Sequence, residues 1–372
     1  MEGKYAIYNG IIYSGYDCFT DHALLISGDQ IEDIVNKQHI PEGYQLVDVG
    51  GANICPGLID LQIYGTGEDL FSAELSSDSL QRINEQLIAQ GCTSYMLTLA
   101  TNSKEVFKKA TQIYRDTKPK AGLGLHLEGP FINAAKKGAH PESFIKEATL
   151  DALKDLIEGQ TDVVRMITIA PELLSEESFN YLKNSGILLS AGHSAATIDE
   201  ATKAFNLGIP TITHLWNAMS ALHHRDVGLA GAAFNHAEVC ASIIVDGIHV
   251  SYEAVKISKK MMAERLFLIT DAVAKCDKDI YPHVFKGDHY VMPDGVLSGS
   301  ALTMLQAVKN CVQHVDLPLD ESIRMATLYP ARLLKRTDIG QLEKNALANV
   351  LIFNDDFEVL KVVFQGELRS YV

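Results

Sequence analysis

The chain is poor in basic residues and has no long apolar run. Its 372 residues include 32 Lys and Arg against 47 Asp and Glu, so the net charge is −15. Because nucleic acids and anionic lipid surfaces attract basic proteins, this acidity speaks against binding to either of them. No stretch reaches the ~20 apolar residues of a membrane span, and the first residues lack the apolar core of a signal peptide. We therefore expect a cytoplasmic protein.

Cysteines are few and widely separated. Each of the six is more than thirty residues from the next, so the sequence has no CxxC pair of the zinc-binding or redox type. A chain of this length does not need disulfides to stabilise it. We expect free, buried thiols at all six positions, which are Cys18, Cys55, Cys92, Cys240, Cys276 and Cys311.

Both ends of the chain are rich in short strand patterns. Residues 4–13 have Asn9-Gly10 at their centre, which is typical of a hairpin turn. Residues 22–28 with 30–35, and residues 348–353 with 358–364, predict two further strand pairs. Two β-rich ends around a different middle predict one small domain formed by both termini, residues 1–52 and 344–372.

The middle of the chain, residues 53–343, alternates apolar runs with helical patterns. Eight such units predict an α/β fold of the (β/α)8 type, a TIM-like barrel. A doubly wound open sheet is the alternative, but the GxGxxG loop that often marks it is missing. The runs are 54–63, 93–99, 122–127, 163–169, 187–191, 211–215, 239–245 and 266–269.

Acidic and histidine residues recur where five of these runs end. In a parallel barrel the carboxyl ends of all strands meet at one mouth, where active sites are built. Each residue taken alone has an ordinary interpretation as a turn or cap residue. Together they favour a site for a divalent metal such as zinc, because Glu and His are good ligands for it. They are Glu128, His193, His214, Asp246 with His249, and Asp271.

Other histidines receive a different interpretation. His126 points to the same side of its strand as Glu128, and we predict that it lies in the barrel interior without binding metal. His223 and His224 are interpreted as a solvated pair, and His283 receives no role. The run after residue 272, through residues 277–279 and 292–295, is rich in turns and predicts part of a lid.

These residues resemble those of the amidohydrolase superfamily and, within it, of the N-acetylglucosamine-6-phosphate deacetylases. The matching segments run in the family's order over nearly the whole chain, and HLEGP with THLWNAM and DGIH is the most specific combination. The resemblance implies that the terminal strands form a small β-sandwich. The segments begin at Pro56 (PGLID), His126 (HLEGP), Lys136 (KKGAH), Gly192 (GHS), Thr213 (THLWNAM), Gly228 (GLAG), Asp246 (DGIH), Thr270 (TDA), Leu297 (LSGS) and Met325 (MATLYPAR).

One departure from the superfamily concerns the metal. Many amidohydrolases carry His-x-His after the first barrel strand, where this chain has Gln62 and Tyr64. The resemblance then implies one divalent metal per subunit, on Glu128, His193 and His214. Zinc is the first expectation, with iron, manganese or cobalt as alternatives.

The resemblance also implies a reaction and its residues. Asp271 would accept the proton of the attacking water and pass it to the departing amine, and His140 would stabilise the oxyanion. Arg225 and His249 would bind phosphate, with Arg225 reaching in from the neighbouring subunit of a homodimer; a solvated loop cation is the alternative for Arg225. The expected sugar and phosphate contacts are Ala139, His140, Asn217, Ala218, Arg225, Asp246, His249, Leu297, Ser298 and Gly299.

Several substrates remain open at this point. N-acetylglucosamine 6-phosphate is the first expectation, giving acetate and glucosamine 6-phosphate in amino-sugar catabolism. N-acetylgalactosamine 6-phosphate and a non-phosphorylated N-acyl amino acid are alternatives on the same fold. A non-catalytic assembly protein is an alternative of another class, although the presence of Glu128, His193, His214 and Asp271 weighs against it.

Overall fold

The computed structural model describes residues 3–277 and 280–371. The described residues divide into two compact units, one of residues 3–60, 85–94 and 304–371 and the other of residues 61–84 and 95–303. The predicted domain bounds, 1–52 with 344–372 and 53–343, stay a prediction. Residues 1, 2 and 372 of those ranges lie outside the described residues.

Eight strands of the described chain form one sheet in which spatial order follows sequence order. From the second strand to the eighth, neighbouring strands run parallel. A parallel bridge joins Ile63, at the end of the first strand, to Ala272, just beyond the eighth. The sheet therefore closes on itself, and the predicted barrel is confirmed. Its strands, from first to eighth, are Leu58–Ile63, Cys92–Ala100, Gly122–Glu128, Val164–Ile169, Leu188–Ala191, Thr211–Ile212, Cys240–Ile243 and Leu266–Leu268.

A helix follows each barrel strand, and polar caps determine where several of these helices begin. The side chains of Ser103, Thr149, Ser175 and Ser251 each accept a hydrogen bond from the backbone N–H three residues later. The predicted capping box of Thr197 is also present. The helices are Ser77–Ala89, Lys104–Thr117, Leu150–Ile157, Glu176–Asn184, Ile198–Leu207, Gly228–Asn235, Tyr252–Met262 and Met304–His314, followed by the short Leu319–Met325 and Leu328–Leu333.

The chain termini form two smaller sheets. Ile7 and Leu24 of the first sheet share one buried apolar cluster with Ile54, Ile352 and Val363 of the second. The prediction of a small sheet domain formed by both termini is thereby confirmed. In spatial order the first sheet is Gln30–Asn36, His22–Ser27, Lys4–Tyr8 and Gln45–Asp48, and the second is Glu367–Ser370, Val359–Phe364, Val350–Phe353, Asn53–Pro56, Ile11–Tyr13 and Cys18–Phe19.

The turn at Asn9-Gly10 does not connect a hairpin, so that prediction is wrong. Tyr8 pairs with the first terminal sheet and Ile11 with the second. Asn9 adopts a left-handed φ of 61°, and a Cβ atom on Gly10 would lie 2.4 Å from the carbonyl oxygen of Ala52. A tight turn alone does not determine which strands pair, and here it carries the chain from one sheet to the other. The other two predicted strand pairs are confirmed.

Part of the predicted lid segment is described. Lys278 and Asp279 lie outside the described residues. The segment contributes to an antiparallel sheet of Val284–Phe285, His289–Val291 and Leu297–Ser300. A short pair of strands, Gly65–Thr66 and Asp69–Leu70, follows the first barrel strand.

The cysteines agree in part with expectation. All six are free thiols, and Cys55, Cys92, Cys276 and Cys311 are buried. Cys240 is only partly buried. Cys18 is exposed, so the expectation of burial is wrong for Cys18, which lies in a two-residue strand at the edge of its sheet. None of the helices in residues 3–277 and 280–371 is both long and apolar enough to cross a membrane.

Candidate active site

Four of the predicted residues lie at the carboxyl ends of barrel strands. Glu128 is the last residue of the third strand, and His193 and His214 follow the ends of the fifth and sixth. Asp271 follows the eighth. His193, His214 and Asp271 adopt left-handed φ values of 47°, 35° and 53°. Such conformations are unfavourable for non-glycine residues and concentrate at functional sites, where the surrounding fold enforces them.

Glu128 is the centre of this group. Its carboxylate is buried, and its Oε1 atom lies 3.2 Å from Nε2 of His193 and 2.9 Å from Nε2 of His214. The two Nε2 atoms are 3.1 Å apart. Burial alone would raise the pKa of Glu128, but His193, His140 and His214 outweigh it and hold the pKa well below its usual value. The carboxylate is therefore ionised at neutral pH.

Glu128, His193 and His214 offer three donor atoms that could hold a cation. Nδ1 of His193 lies 2.8 Å from the carbonyl oxygen of Lys136. Because that oxygen can only accept, Nδ1 carries a hydrogen, which leaves Nε2 as the nitrogen that can offer a lone pair to a metal. Nε2 of His193 faces the Glu128 carboxylate and Nε2 of His214, whose own Nδ1 is buried and has no hydrogen-bond partner among the described residues. One carboxylate oxygen and two imidazole nitrogens are a donor set that zinc and related metals bind.

His140 also contacts Glu128, but at the other oxygen. Its Nε2 lies 3.1 Å from Oε2, and its Nδ1 lies 2.7 Å from the hydroxyl oxygen of Thr101. Glu128, His140 and His193 offer atoms within 4.8 Å of one another, so His140 is also near enough to reach a metal. Unlike Nδ1 of His193, Nδ1 of His140 also accepts a hydrogen bond from a backbone N–H, that of Thr101 at 3.4 Å, which allows Nε2 to carry the ring proton. Burial and His193 lower the pKa of His140 to about 4, so its ring is neutral at pH 7.

Gln62 and Tyr64 connect Glu128 to Asp271. Nε2 of Gln62 donates to Oδ1 of Asp271 at 2.7 Å and to Oε1 of Glu128 at 3.0 Å. The hydroxyl of Tyr64 donates to Oε2 of Glu128. Burial, and then the charge of Glu128, raises the pKa of Asp271. In the sequence, Gln62 and Tyr64 indicated only that two metal ligands were missing. In the structure, their amide and phenol groups hold the carboxylates of Glu128 and Asp271 side by side.

The cluster lines a cavity that is open to solvent and has an empty volume of about 780 Å³, open solvent included. Asn217 contributes a side-chain Nδ2 that is buried and has no hydrogen-bond partner among the described residues. Its unpaired amide is therefore available to a ligand. Of the predicted residues, those lining the cavity are Glu128, Ala139, His140, His193, His214, Asn217, Ala218, His249, Asp271, Leu297, Ser298 and Gly299.

Two predicted residues lie elsewhere. Asp246 stands behind His249, with Oδ2 2.5 Å from Nδ1 of the imidazole. Although burial would raise the pKa of Asp246, the imidazole of His249 lowers it. Asp246 therefore orients His249 and does not itself line the cavity. Arg225 is exposed and its Nε lies 3.1 Å from Nε2 of His224, so the chain's own cavity does not include it.

The structure adds His283 and Tyr281 to the cavity wall. His283 places Nδ1 2.9 Å from the hydroxyl of Ser298, and burial lowers its pKa to about 4. Tyr281 donates its hydroxyl to the carbonyl of Thr101 at 2.6 Å. Both follow a turn-rich stretch without strand periodicity, so no pattern in the sequence indicated where they would lie.

His126 lies in the barrel interior, as predicted. Its Nε2 is 2.7 Å from the hydroxyl oxygen of Thr168 and its Nδ1 is 3.1 Å from the carbonyl oxygen of Leu61. Burial lowers its pKa to about 4. Both ring nitrogens thus have protein partners, which leaves neither for a metal. His223 and His224 are exposed.

Two family models match the chain. Residues 53–369 match the amidohydrolase family, and residues 4–54 match the NagA composite domain. The N-acetylglucosamine-6-phosphate deacetylase of Haemophilus influenzae is 35% identical over 99% of this chain and 100% of that protein. An N-acetylgalactosamine-6-phosphate deacetylase of a Shewanella species is 32% identical over 84% of this chain and 82% of that protein. The crystal structure of N-acetylglucosamine-6-phosphate deacetylase from Pasteurella multocida superposes with a TM-score of 0.94, at 34% identity over 99% of this chain and 100% of that chain.

Proposed function

The chain belongs to the amidohydrolase family of hydrolases, and we propose that it removes the acetyl group of N-acetylglucosamine 6-phosphate. Water would cleave the amide bond and give acetate and glucosamine 6-phosphate, a step in amino-sugar catabolism. The observation that carries this proposal is similarity to deacetylases of that name over nearly the full length of the chain. The grouping of Glu128, His193, His214 and Asp271 in one cavity supports it.

Glu128, His193 and His214 would hold one divalent metal, with zinc as the first candidate and iron, manganese and cobalt as alternatives. When bound, such a metal acts as a Lewis acid that makes water a better nucleophile and the acetyl carbonyl a better electrophile. Gln62 and Tyr64 occupy the places of two further ligands and donate hydrogen bonds to Glu128. A second metal is therefore not expected beside the first.

Asp271 would act as the proton carrier. Its pKa is raised by burial and by Glu128, which strengthens it as a base towards water. Its carboxylate would take a proton from the attacking water and then give it to the nitrogen of the departing amine. Gln62 keeps the carboxylate in place for both transfers through its hydrogen bond to Oδ1.

His140 would stabilise the oxyanion that forms on the acetyl carbonyl. Because its ring is neutral at pH 7, it would contribute a hydrogen bond from Nε2 and no positive charge. The contact of Nδ1 with the Thr101 hydroxyl fixes the direction in which Nε2 points.

The remaining cavity residues would bind the sugar and its phosphate. The unpaired amide of Asn217 and the backbone at Ala218 are suited to phosphate oxygens. His249 would bind the phosphate and border the sugar pocket, and Ala139 and residues 297–299 would contact the sugar. We propose a homodimer in which Arg225 of one subunit reaches the phosphate in the other subunit's cavity, since its fork-shaped guanidinium can donate two hydrogen bonds to phosphate. We also propose that the protein acts in the cytoplasm.

A second candidate substrate is N-acetylgalactosamine 6-phosphate. The similarity to the Shewanella deacetylase favours keeping it, and the two sugars differ only in the orientation of the hydroxyl at C4.

The test is acetate release by purified protein of known metal content. We expect rapid turnover of N-acetylglucosamine 6-phosphate and little turnover of the sugar without phosphate. A higher kcat/KM for the galacto epimer would instead support the second candidate. Turnover of neither phosphosugar by metal-loaded protein would contradict both, and other N-acyl compounds would then be tested.

A further inference from the structure

Tyr64 gives the two oxygens of the Glu128 carboxylate different surroundings. The hydroxyl of Tyr64 donates to Oε2, and its oxygen lies 3.2 Å from Nε2 of Gln62. The other oxygen, Oε1, faces Nε2 of His193 and of His214. Oε1 is thus directed at these two imidazoles and also contacts Nε2 of Gln62, whereas Oε2 is held by the phenol and lies 3.1 Å from Nε2 of His140.

The position of Tyr64 is well determined by the fold. Its backbone N–H donates to the carbonyl of Ala272 at 2.9 Å, directly beside Asp271. Its ring packs against a buried apolar cluster. A ring fixed at both ends presents its hydroxyl in one direction, towards Oε2 of Glu128. The members of the cluster are Leu70, Val273, Ala274, Cys276 and Tyr290.

We propose that Tyr64 is a positioning residue for the metal site, because its hydroxyl holds Oε2 of Glu128 and leaves only Oε1 to bind the metal. This inference rests on the ligands proposed above. Without the phenol, Oε2 keeps only its 3.1 Å contact with Nε2 of His140 among the described residues, so the carboxylate is held less firmly and part of its ordering must occur when metal binds. Hydrogen bonds to metal ligands of this kind contribute about 10- to 100-fold to metal affinity.

The test compares Tyr64→Phe with Tyr114→Phe. The first keeps the ring in its apolar cluster and removes only the hydroxyl. The second removes a buried hydroxyl that accepts a hydrogen bond from the backbone N–H of Gly124 at 2.8 Å, on the strand that carries Glu128. Tyr114 is not among the residues that line the cavity. It therefore controls for the general cost of losing a buried hydroxyl that contacts this strand.

The measurements are metal stoichiometry, Zn²⁺ affinity by competition with a chromogenic chelator, and the visible spectrum of the Co²⁺-loaded protein. We expect Tyr64→Phe to bind one equivalent about 10- to 100-fold more weakly, with a changed Co²⁺ spectrum. Tyr114→Phe should bind metal as the parent does. Should Tyr64→Phe not fold, Tyr64→Met takes its place, since it also fills the space without a donor.

An unchanged affinity and Co²⁺ spectrum in the folded Tyr64 variant would overturn the inference. If the parent also binds one metal and releases acetate, the proposed function stands and only the role of Tyr64 falls. If the parent binds no metal, both fall together.

Discussion

Replacing Asp271 with Asn tests the proposed proton transfer with little change in shape. The Asn side chain has the same size, and its amide oxygen can still accept the hydrogen bond that Gln62 gives to Oδ1 at 2.7 Å. It cannot take a proton from water or return one to the amine. General acid–base catalysis contributes about 10²- to 10⁴-fold, so kcat should fall by that factor, which corresponds to about 2.7–5.4 kcal/mol in activation free energy.

The assay is acetate release under saturating substrate, with metal content measured on the same samples. Metal binding should persist, because Asp271 is not one of the three proposed ligands. Asp155→Asn is a matched control, since Asp155 is an exposed carboxylate paired with Lys104 and its loss should leave kcat unchanged. A kcat for Asp271→Asn within about threefold of the parent would refute the reasoning, because effects that small fall well below the range for general acid–base catalysis.

Three further predictions address the phosphate, pH and metal. Arg225→Ala should raise KM for the phosphorylated sugar far more than for the free sugar, and an equal effect on both would remove its phosphate role. Burial lowers the pKa of His283 to about 4 in the folded protein, whereas a histidine in the unfolded chain has a pKa of about 6.5. As pH falls, the unfolded chain therefore takes up a proton at His283 before the folded protein does. The free energy of unfolding then decreases between about pH 6.5 and pH 4. The His283→Asn variant should therefore lose less stability than the parent over that pH range, and the difference in lost unfolding free energy should be about 3 kcal/mol at most. Thermal unfolding at a series of pH values measures both losses, and equal losses would contradict the prediction. Removal of metal by a chelator should lower the unfolding temperature, since a ligand at 1,000 times its Kd stabilises by about 4 kcal/mol; an unchanged temperature would speak against a bound metal.

The sequence predicted the barrel and its central carboxylate because both depend on local patterns. Eight apolar runs predicted the eight strands, and the residues after them converge because parallel strands end at one mouth. Glu128, His193, His214 and Asp271 were found in this way, and all four line one cavity. Their left-handed backbones were not predicted, since no pattern of ordinary residues indicates a φ that the surrounding fold enforces.

The sequence did not predict which side chains from distant segments contact one another. Gln62 and Tyr64 were interpreted as missing metal ligands, whereas their hydrogen bonds to Glu128 and Asp271 depend on the closure of the first strand against the eighth. His283 enters the cavity on a segment without periodicity. The Asn9-Gly10 turn led to a wrong strand pairing, because turn residues specify a local bend and the partner of each strand is chosen by packing.

The most direct test of the account is metal reconstitution of chelator-treated protein, followed by acetate release from N-acetylglucosamine 6-phosphate. The account predicts negligible turnover without metal, a linear rise up to one equivalent of Zn²⁺ per chain, and no further rise beyond it. Glu128→Gln, which removes the charge at the centre of the cluster, should stay inactive throughout. Full turnover by metal-free protein, or normal turnover by Glu128→Gln, would contradict the account.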